Sequence, residues 1–268
     1  MTIRVVVAGA TGWTGSALVK AIGASGDLAL AGGVARSAAG RDIGEANGLA
    51  PAGVAISGTL KEALVASSDV VIDYAHPMLV KQHTLQALAA ERHVVIGTSG
   101  LTAEDYREID MAATRAKRGV IAAGNFSITA TLLTRFAAEA AKYIADVEVI
   151  DYASAKKPDV PSGTARELAE RVAAVRAAAS SVPVADVLGP RDARGAAIGE
   201  GLPVQLHSLR LPSYVIACEA IFGAPDERLT IRHDAGSSAA PYVAGTLLAV
   251  RRVIELVGLT RGLDRLIG

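Results

Sequence analysis

Nine residues, Lys157-Pro158-Asp159-Val160-Pro161-Ser162-Gly163-Thr164-Ala165, put an ammonium group just ahead of a run of small polar residues. The spacing Thr164-x-x-Glu167 reads as a capping box and predicts a helix running to about Ala178. The N–H groups of Gly163 and Thr164 then sit at a helix N-terminus, where backbone donors and positive potential favour an anion. A cation beside a helix start suits a carboxylate, and Asp159 with the two prolines restricts the turn between them. The blander reading is a solvated lysine beside an ordinary helix cap, since lysines are mostly exposed.

A second set of residues suits a different anion. Gly9, Gly12 and Gly15 recur in Gly9-Ala10-Thr11-Gly12-Trp13-Thr14-Gly15, after a β-branched run at residues 3–8 and before the helical periodicity of Ala17 to Ile22. Strand, glycine turn and helix together form the context in which such a motif holds a dinucleotide. Gly9 permits the tight turn, Gly12 the approach of a pyrophosphate, and Gly15 the close packing of helix on strand. The spacing is G-x-x-G-x-x-G, not G-x-G-x-x-G, so a glycine turn without a ligand is the alternative. The next strand, 29–35, ends at Ala35-Arg36-Ser37. An acidic residue there would select a free ribose 2′-hydroxyl. A guanidinium and a hydroxyl suit a 2′-phosphate instead, so NADP is preferred, with NAD possible. The competing reading of Arg36 is a solvated surface side chain.

These residues need a scaffold, and the remaining pattern supplies one. Val70 to Tyr74 reads as a buried strand, Leu79 to Ala90 as a helix and Val94 to Ile96 as a strand ending in Gly97-Thr98-Ser99-Gly100. A strand at 119–123 ends at Gly124-Asn125-Phe126-Ser127, which opens a helix with Leu132, Leu133, Phe136, Ala137 and Ala140 on one face. Ligands bind beyond the carboxyl ends of strands in open α/β sheets, so these loops are candidates to border a nicotinamide. Asn125 and Ser127 read equally well as helix caps, and His76 reads as a cap ahead of the helix at 79–90. Val147 to Tyr152 alternates like a strand with one wet face. Further strands are expected at 207–222 and 228–233, and a closing helix at Pro241 to Val257.

Composition narrows the function classes. The 268 residues are 51% hydrophobic and only 4% aromatic, so close helix–sheet packing must build much of the core. Lys and Arg together number 27, as do Asp and Glu. With no net charge there is no basic field for nucleic acid or an anionic membrane. The single cysteine, Cys218, excludes an internal disulfide and a cysteine-rich metal site, and no metal is expected. No uncharged run of about 18 apolar residues appears, so no membrane span is expected. Met1-Thr2-Ile3-Arg4 leads straight into a strand, which leaves no room for a signal peptide and points to the cytoplasm.

Taken together, Gly9 to Gly15, Gly97-Thr98-Ser99-Gly100, Asn125-Phe126-Ser127 and, above all, Lys157-x-Asp159-x-Pro161-Ser162-Gly163-Thr164-Ala165 resemble the 4-hydroxy-tetrahydrodipicolinate reductase family of lysine and diaminopimelate biosynthesis along the whole chain. The resemblance implies an α/β fold. It has an N-terminal Rossmann-like dinucleotide-binding domain, 1–126 plus 239–268, and a second α+β domain at 127–238, built on an open mixed sheet that forms a homotetramer. It implies hydride transfer from NADH or NADPH to a cyclic imine-type dicarboxylate. The cofactor would be bound by Gly9, Thr11, Gly12, Trp13, Thr14, Gly15, Arg36, Ser37, Gly97, Thr98, Ser99, Asn125 and Phe126. Lys157 would be catalytic and, with Ser162, Gly163 and Thr164, would bind the carboxylate substrate.

Four motifs depart from the family. Its paired histidines, the first taken as the general acid, match Ala153 and Ser154 here. Its Arg-Gly-Gly turn becomes Arg210-Leu211-Pro212, its Gly-Glu-His becomes Ile216-Ala217-Cys218, and the arginine after His233 becomes Asp234. A hydride acceptor still needs a proton at the atom that becomes basic, and Lys157, Lys156, Ser154 or water could supply it. The alternatives are a reductase or amino-acid dehydrogenase of the same scaffold acting on another imine or oxo acid, and a non-catalytic NADP-binding regulator. Tyr152-x-x-x-Lys156 also matches the tyrosine–lysine pair of short-chain dehydrogenases, but that pair needs one continuous helix, and Pro158 and Pro161 oppose it.

Overall fold

The computed structural model describes residues 2–267, and the chain forms two units, Met1–Ser127 with Ala239–Gly268 and Ile128–Ser238. In the first, β1 (Ile3–Ala8), β2 (Leu28–Val34), β3 (Ile56–Ser57), β4 (Val70–Asp73), β5 (His93–Ile96), β6 (Gly119–Ala122) and β12 (Gly258–Arg261) form one sheet, ordered β12-β6-β5-β4-β1-β2-β3. Every neighbouring pair is parallel. Such strands are covered on both faces, which is why Val5 to Ala8, Val70 to Ile72 and Val94 to Ile96 are apolar and essentially inaccessible. Helices α1 (Trp13–Gly23), α2 (Ile43–Ala46), α3 (Leu60–Ala63), α4 (Pro77–Ala89), α5 (Ala103–Ala116) and α8 (Ala240–Val253) complete this unit. The chain proceeds outward from β1 to β3 and then returns to place β4 on the other side of β1. That reversal of strand order creates a crevice at the strand ends.

The second unit contains α6 (Ile128–Ala140), β7 (Asp146–Ala153), α7 (Gly163–Ala173), β8 (Ala196–Ile198), β9 (Val204–Arg210), β10 (Ile216–Ala224) and β11 (Glu227–Ala235). Its sheet runs β11-β10-β7-β9-β8 and is mixed: β7 and β9 are parallel, the other pairs antiparallel. Alternation puts Val147, Val149, Leu206, Ala220 and Phe222 in one core with Leu133, Ala137, Leu168 and Val172 of α6 and α7. Glu148 and Ile150 alternate with them and are half-exposed.

Three local expectations need correction. The cap of α7 is Ser162, whose hydroxyl accepts the Ala165 N–H at 3.3 Å, so the helix starts before Thr164 and no Thr164–Glu167 box is formed at its cap. The same helix ends at Ala173 rather than 178, and beyond it Ser180 and Ser181 instead satisfy Asp146. The single strand expected at 207–222 is two strands, β9 and β10. Pro212 has no N–H for a ladder, and Tyr214 N–H closes a turn onto the Leu211 carbonyl at 3.3 Å.

Gly15 packs on the turn rather than on the strand. A Cβ there would collide with the Gly9 carbonyl and lie 2.8 Å from its carbon and 3.2 Å from the Ala10 carbonyl carbon. These are backbone atoms that have no room to yield. Gly15→Ala is therefore expected to destabilise the first unit by about 1–3 kcal/mol, the usual cost of overpacking. Urea denaturation measures it, and an unchanged midpoint would contradict the packing.

Candidate active site

The glycine turn lies at the crevice between β1 and β4. Gly9 has φ +82°, and a Cβ on it would strike the carbonyl of Tyr74, the residue after β4. Gly12 is the N-cap of α1; a Cβ there would meet just one atom within 4 Å, the Gly9 oxygen at 3.2 Å. Helix α1 has no side-chain cap and no acidic residue in its first turn, so Trp13, Thr14 and Gly15 begin a helix whose N-terminal potential is not offset by its own carboxylates. Trp13 is 56% exposed, and its ring packs edge-on against Tyr242 of α8 at 5.7 Å.

Beside the turn is a cleft of about 630 Å³ that brings Gly9 and Thr11 together with Arg36 and Ser37. It also gathers residues that the sequence reading did not select: Thr59, Lys61, Gln82 and Gln86. No carboxylate lines it among the described residues. The signal for this second cation was present in Thr59-x-x-Glu62. The Thr59 hydroxyl accepts the Glu62 N–H at 3.3 Å and the Glu62 carboxylate accepts the Thr59 N–H at 3.2 Å, fixing a helix start with Lys61 in its first turn.

Two loops join the cleft through a carboxylate that was also overlooked. Asp73, fully buried at the end of β4, accepts the Ala75 N–H at 2.8 Å and bonds His83 Nδ1 at 2.8 Å. The Thr98 hydroxyl lies 3.2 Å from the same carboxylate and 3.1 Å from the Ala75 carbonyl, tying the loop after β5 to the loop after β4. A Cβ on Gly97 would run into the Tyr74 ring, so this loop is pressed against that tyrosine, while Ser99 is exposed. Asn125 Oδ1 accepts the Ser127 N–H at 2.7 Å just ahead of α6, as a cap residue would. Phe126 is 1% exposed and meets the Tyr74 ring at 6.2 Å, so its side chain belongs to the core. His76 caps α4, accepting the Met78 N–H at 3.2 Å.

In the second unit the anion-binding candidates hang from a different buried carboxylate. Asp151, on β7 and fully buried, accepts Ser162 N–H at 2.9 Å, the Ser162 hydroxyl at 2.6 Å, the Ser208 hydroxyl at 3.2 Å and Arg210 Nη2 at 2.8 Å. Ser162 is thus committed twice, to Asp151 and to its own helix, and is 1% exposed. Gly163 opens α7, which has no acidic residue in its first turn, and Thr164 follows, 5% exposed. Lys157 Nζ pairs with Asp159 Oδ1 at 2.7 Å, with both side chains partly exposed.

Tyr152 lies outside this group. It is on a strand, its hydroxyl donates to Glu219 at 2.6 Å, and Arg232 stacks over its ring at 4.7 Å. Burial, and then the bond to Glu219, push its hydroxyl up to about 12, so the phenol stays protonated across the physiological range. Neither the geometry nor the ionisation of a short-chain dehydrogenase pair is present. Cys218 is buried too, and burial raises its thiol well above the ordinary value. No group of three or more His, Cys, Asp or Glu suited to a metal occurs among the described residues, and none of their helices is long and apolar enough to cross a membrane.

Comparison with known proteins accounts for both units. Residues 3–126 match the family described as dihydrodipicolinate reductase, N-terminus, and residues 129–264 match dihydrodipicolinate reductase, C-terminus. The 4-hydroxy-tetrahydrodipicolinate reductase of Thermosynechococcus vestitus is 39% identical over 271 residues, covering 99% of this chain and 97% of the relative. That of Synechococcus elongatus is 39% identical over 272 residues, covering 99% and 98%. Among solved structures, dipicolinate-bound dihydrodipicolinate reductase from Paenisporosarcina sp. TG-14 superposes with a TM-score of 0.79 at 31% identity, covering 99% of each chain. An amine dehydrogenase from Mycobacterium smegmatis, at 16% identity and a TM-score of 0.68 over 99% and 96% of the two chains, shares the fold alone. With both halves matched and near-complete relatives at 39% identity, the chain belongs to the dihydrodipicolinate reductase family.

Proposed function

We propose that this chain is an NAD(P)H-dependent reductase acting on 4-hydroxy-tetrahydrodipicolinate, preferring NADPH, and working as a cytoplasmic homotetramer. The observation that carries the reading is the loop of Lys157 and the start of α7, in a chain 39% identical to curated reductases of that substrate. Gly163 begins a helix without acidic residues in its first turn, so its N–H has no carbonyl one turn earlier. With Thr164 and the Lys157 ammonium it is suited to a substrate carboxylate. Ser162 acts behind them, as the cap that aims the helix. The open face of the second unit's sheet, with Ile150 and Glu148 half-exposed, is the surface on which copies would pair.

The first unit fits a dinucleotide. The uncapped start of α1 and the bare Gly12 would take the pyrophosphate, while Gly9 and Thr11 lead into the carboxylate-free cleft. Arg36, Ser37 and Lys61 supply two cations and a hydroxyl at the end of β2 and the start of α3, where a 2′-phosphate would be held. Gly97, Thr98 and Ser99, with the backbone of Asn125 and Phe126, would border the nicotinamide. The cofactor supplies the hydride when bound. The chain orients the acid, and the Lys157 ammonium polarises the reacting group or donates the proton to the atom that becomes basic when its neighbour takes the hydride.

Three measurements test these assignments. Titration with both cofactors should give tighter binding of NADPH than NADH. Arg36→Asp should remove much of the difference, because a charge-assisted phosphate contact contributes roughly 1.5–3 kcal/mol. Equal affinities in the unaltered protein would end the case for NADP. Lys157→Met keeps the stem and drops the charge. Its NADPH affinity should stay near wild type while turnover of 4-hydroxy-tetrahydrodipicolinate falls by roughly 10²-fold or more, and unchanged kinetics would remove Lys157 from the site. Tyr152→Phe should leave turnover close to wild type, since the phenol is engaged with Glu219; a loss on the roughly 10²–10⁴-fold scale of a missing general acid would show that Tyr152 takes part after all.

A further inference from the structure

Arg210 is an arginine that its own surroundings have neutralised. Its Nη2 donates to Asp151 at 2.8 Å and to the Asp159 carbonyl at 2.7 Å, and its Nη1 donates to the Leu209 carbonyl at 2.9 Å. The Asp151 partner is fully buried and the arginine side chain is 16% exposed. Such a cation is a poor substrate contact: both Nη groups are directed at protein, and its Nε is buried without a partner.

Its two Nη2 partners point elsewhere. On one side, Asp151 also accepts the N–H and hydroxyl of Ser162, the residue that caps α7. On the other side, the residue whose carbonyl it holds is Asp159, whose carboxylate grips Lys157 Nζ at 2.7 Å. One guanidinium therefore sits between the strand ends and both halves of the anion-binding loop. We infer that Arg210 is a positioning residue: by bridging Asp151 and the Asp159 backbone it sets Lys157 and the Gly163 end of α7 in register for one substrate. Both bonds leave one planar Nη2, whose two N–H directions are fixed by the guanidinium plane while Nη1 holds the Leu209 carbonyl. The lysine that would conserve its charge offers one compact ammonium and cannot hold the same pair rigidly. The inference rests on the reading of Lys157 as a substrate-facing group.

Arg210→Lys is the test, assayed beside wild type with NADPH and 4-hydroxy-tetrahydrodipicolinate, with dipicolinate as a non-reacting inhibitor. NADPH affinity should be unchanged, while kcat/KM and dipicolinate affinity fall by about 10- to 100-fold, the scale of a small misplacement. Amide hydrogen exchange should quicken across residues 155–163. In a cycle with Lys157→Met the two losses should be far from additive, because Arg210 acts through Lys157. Wild-type kinetics in Arg210→Lys, or additive losses, would overturn the inference while leaving the proposed function standing. If instead wild type neither turns over the substrate nor binds dipicolinate, the proposed function fails. The exchange data then decide the matter, and unchanged exchange at 155–163 overturns the positioning role as well. Should Arg210→Lys fail to fold, Asp159→Asn, which cuts the Lys157 pair and leaves the backbone clamp, goes through the same cycle; an additive result there also overturns it.

Discussion

A fully buried carboxylate must be surrounded by donors, because an isolated charge in the interior costs several kcal/mol even after relaxation. Each unit contains one near a strand end, and each uses that requirement to gather its loops. Asp73 draws in the Ala75 backbone, His83 and Thr98, so the loops after β4 and β5 lie against each other. Asp151 draws in Ser162, Ser208 and Arg210, so the start of α7 and the end of β9 converge on β7. Of the candidate binding residues, Thr98 bonds the first of these aspartates and Ser162 the second. The polar interior of each unit is thus the mould for the loops around it.

This division explains what the sequence disclosed. Gly12 and Gly15 were legible because their contacts with Gly9 lie within seven residues, and Gly9 because its positive φ marks a local turn, although its close approach to Tyr74 is not local. The strands of the first unit were legible because burial on both faces demands unbroken apolar runs. Asp73 and Asp151 were not, because each simply ends or interrupts such a run. Their partners lie at His83, Thr98, Ser162 and Arg210, up to 59 residues away. Lys61 escaped notice for a different reason. Its place in the cleft follows from β3 pairing with β2, and a two-residue strand leaves no periodicity to read.

The start of α7 shows how nearly equivalent local signals are resolved by the rest of the fold. Thr164 with Glu167 satisfies the capping pattern as well as Ser162 with Ala165 as its third helical residue does. Ser162 holds the position because its hydroxyl can do two jobs, accepting from Ala165 and donating to Asp151. Moving the cap back by two residues brings Gly163 and Thr164 into the first turn, where the helix potential is strongest. The tertiary partner, and not helix propensity, decides where the helix begins.

The same packing bears on the missing histidines. Ala153 is fully buried and pairs with Ile216 on one side and Arg210 on the other. A larger side chain at 153 would need room in a fully buried position, and overpacking typically costs about 1–3 kcal/mol. Ser154 is half-buried and its backbone is already engaged, with its N–H on the Val215 carbonyl at 3.2 Å and its carbonyl accepting from Lys157 N–H at 2.9 Å. The backbones of both positions hold the neighbouring loops, the Ala153 carbonyl accepting the Leu211 N–H at 3.1 Å, and these bonds do not depend on the side chain. What the loop then carries is Lys157, an ammonium paired with the Asp159 carboxylate, while Arg210 holds the Asp159 carbonyl. A cation carried on a loop depends on the accuracy of its clamp more than a ring on a strand end would, since a lysine stem has four rotatable bonds where an imidazole has two.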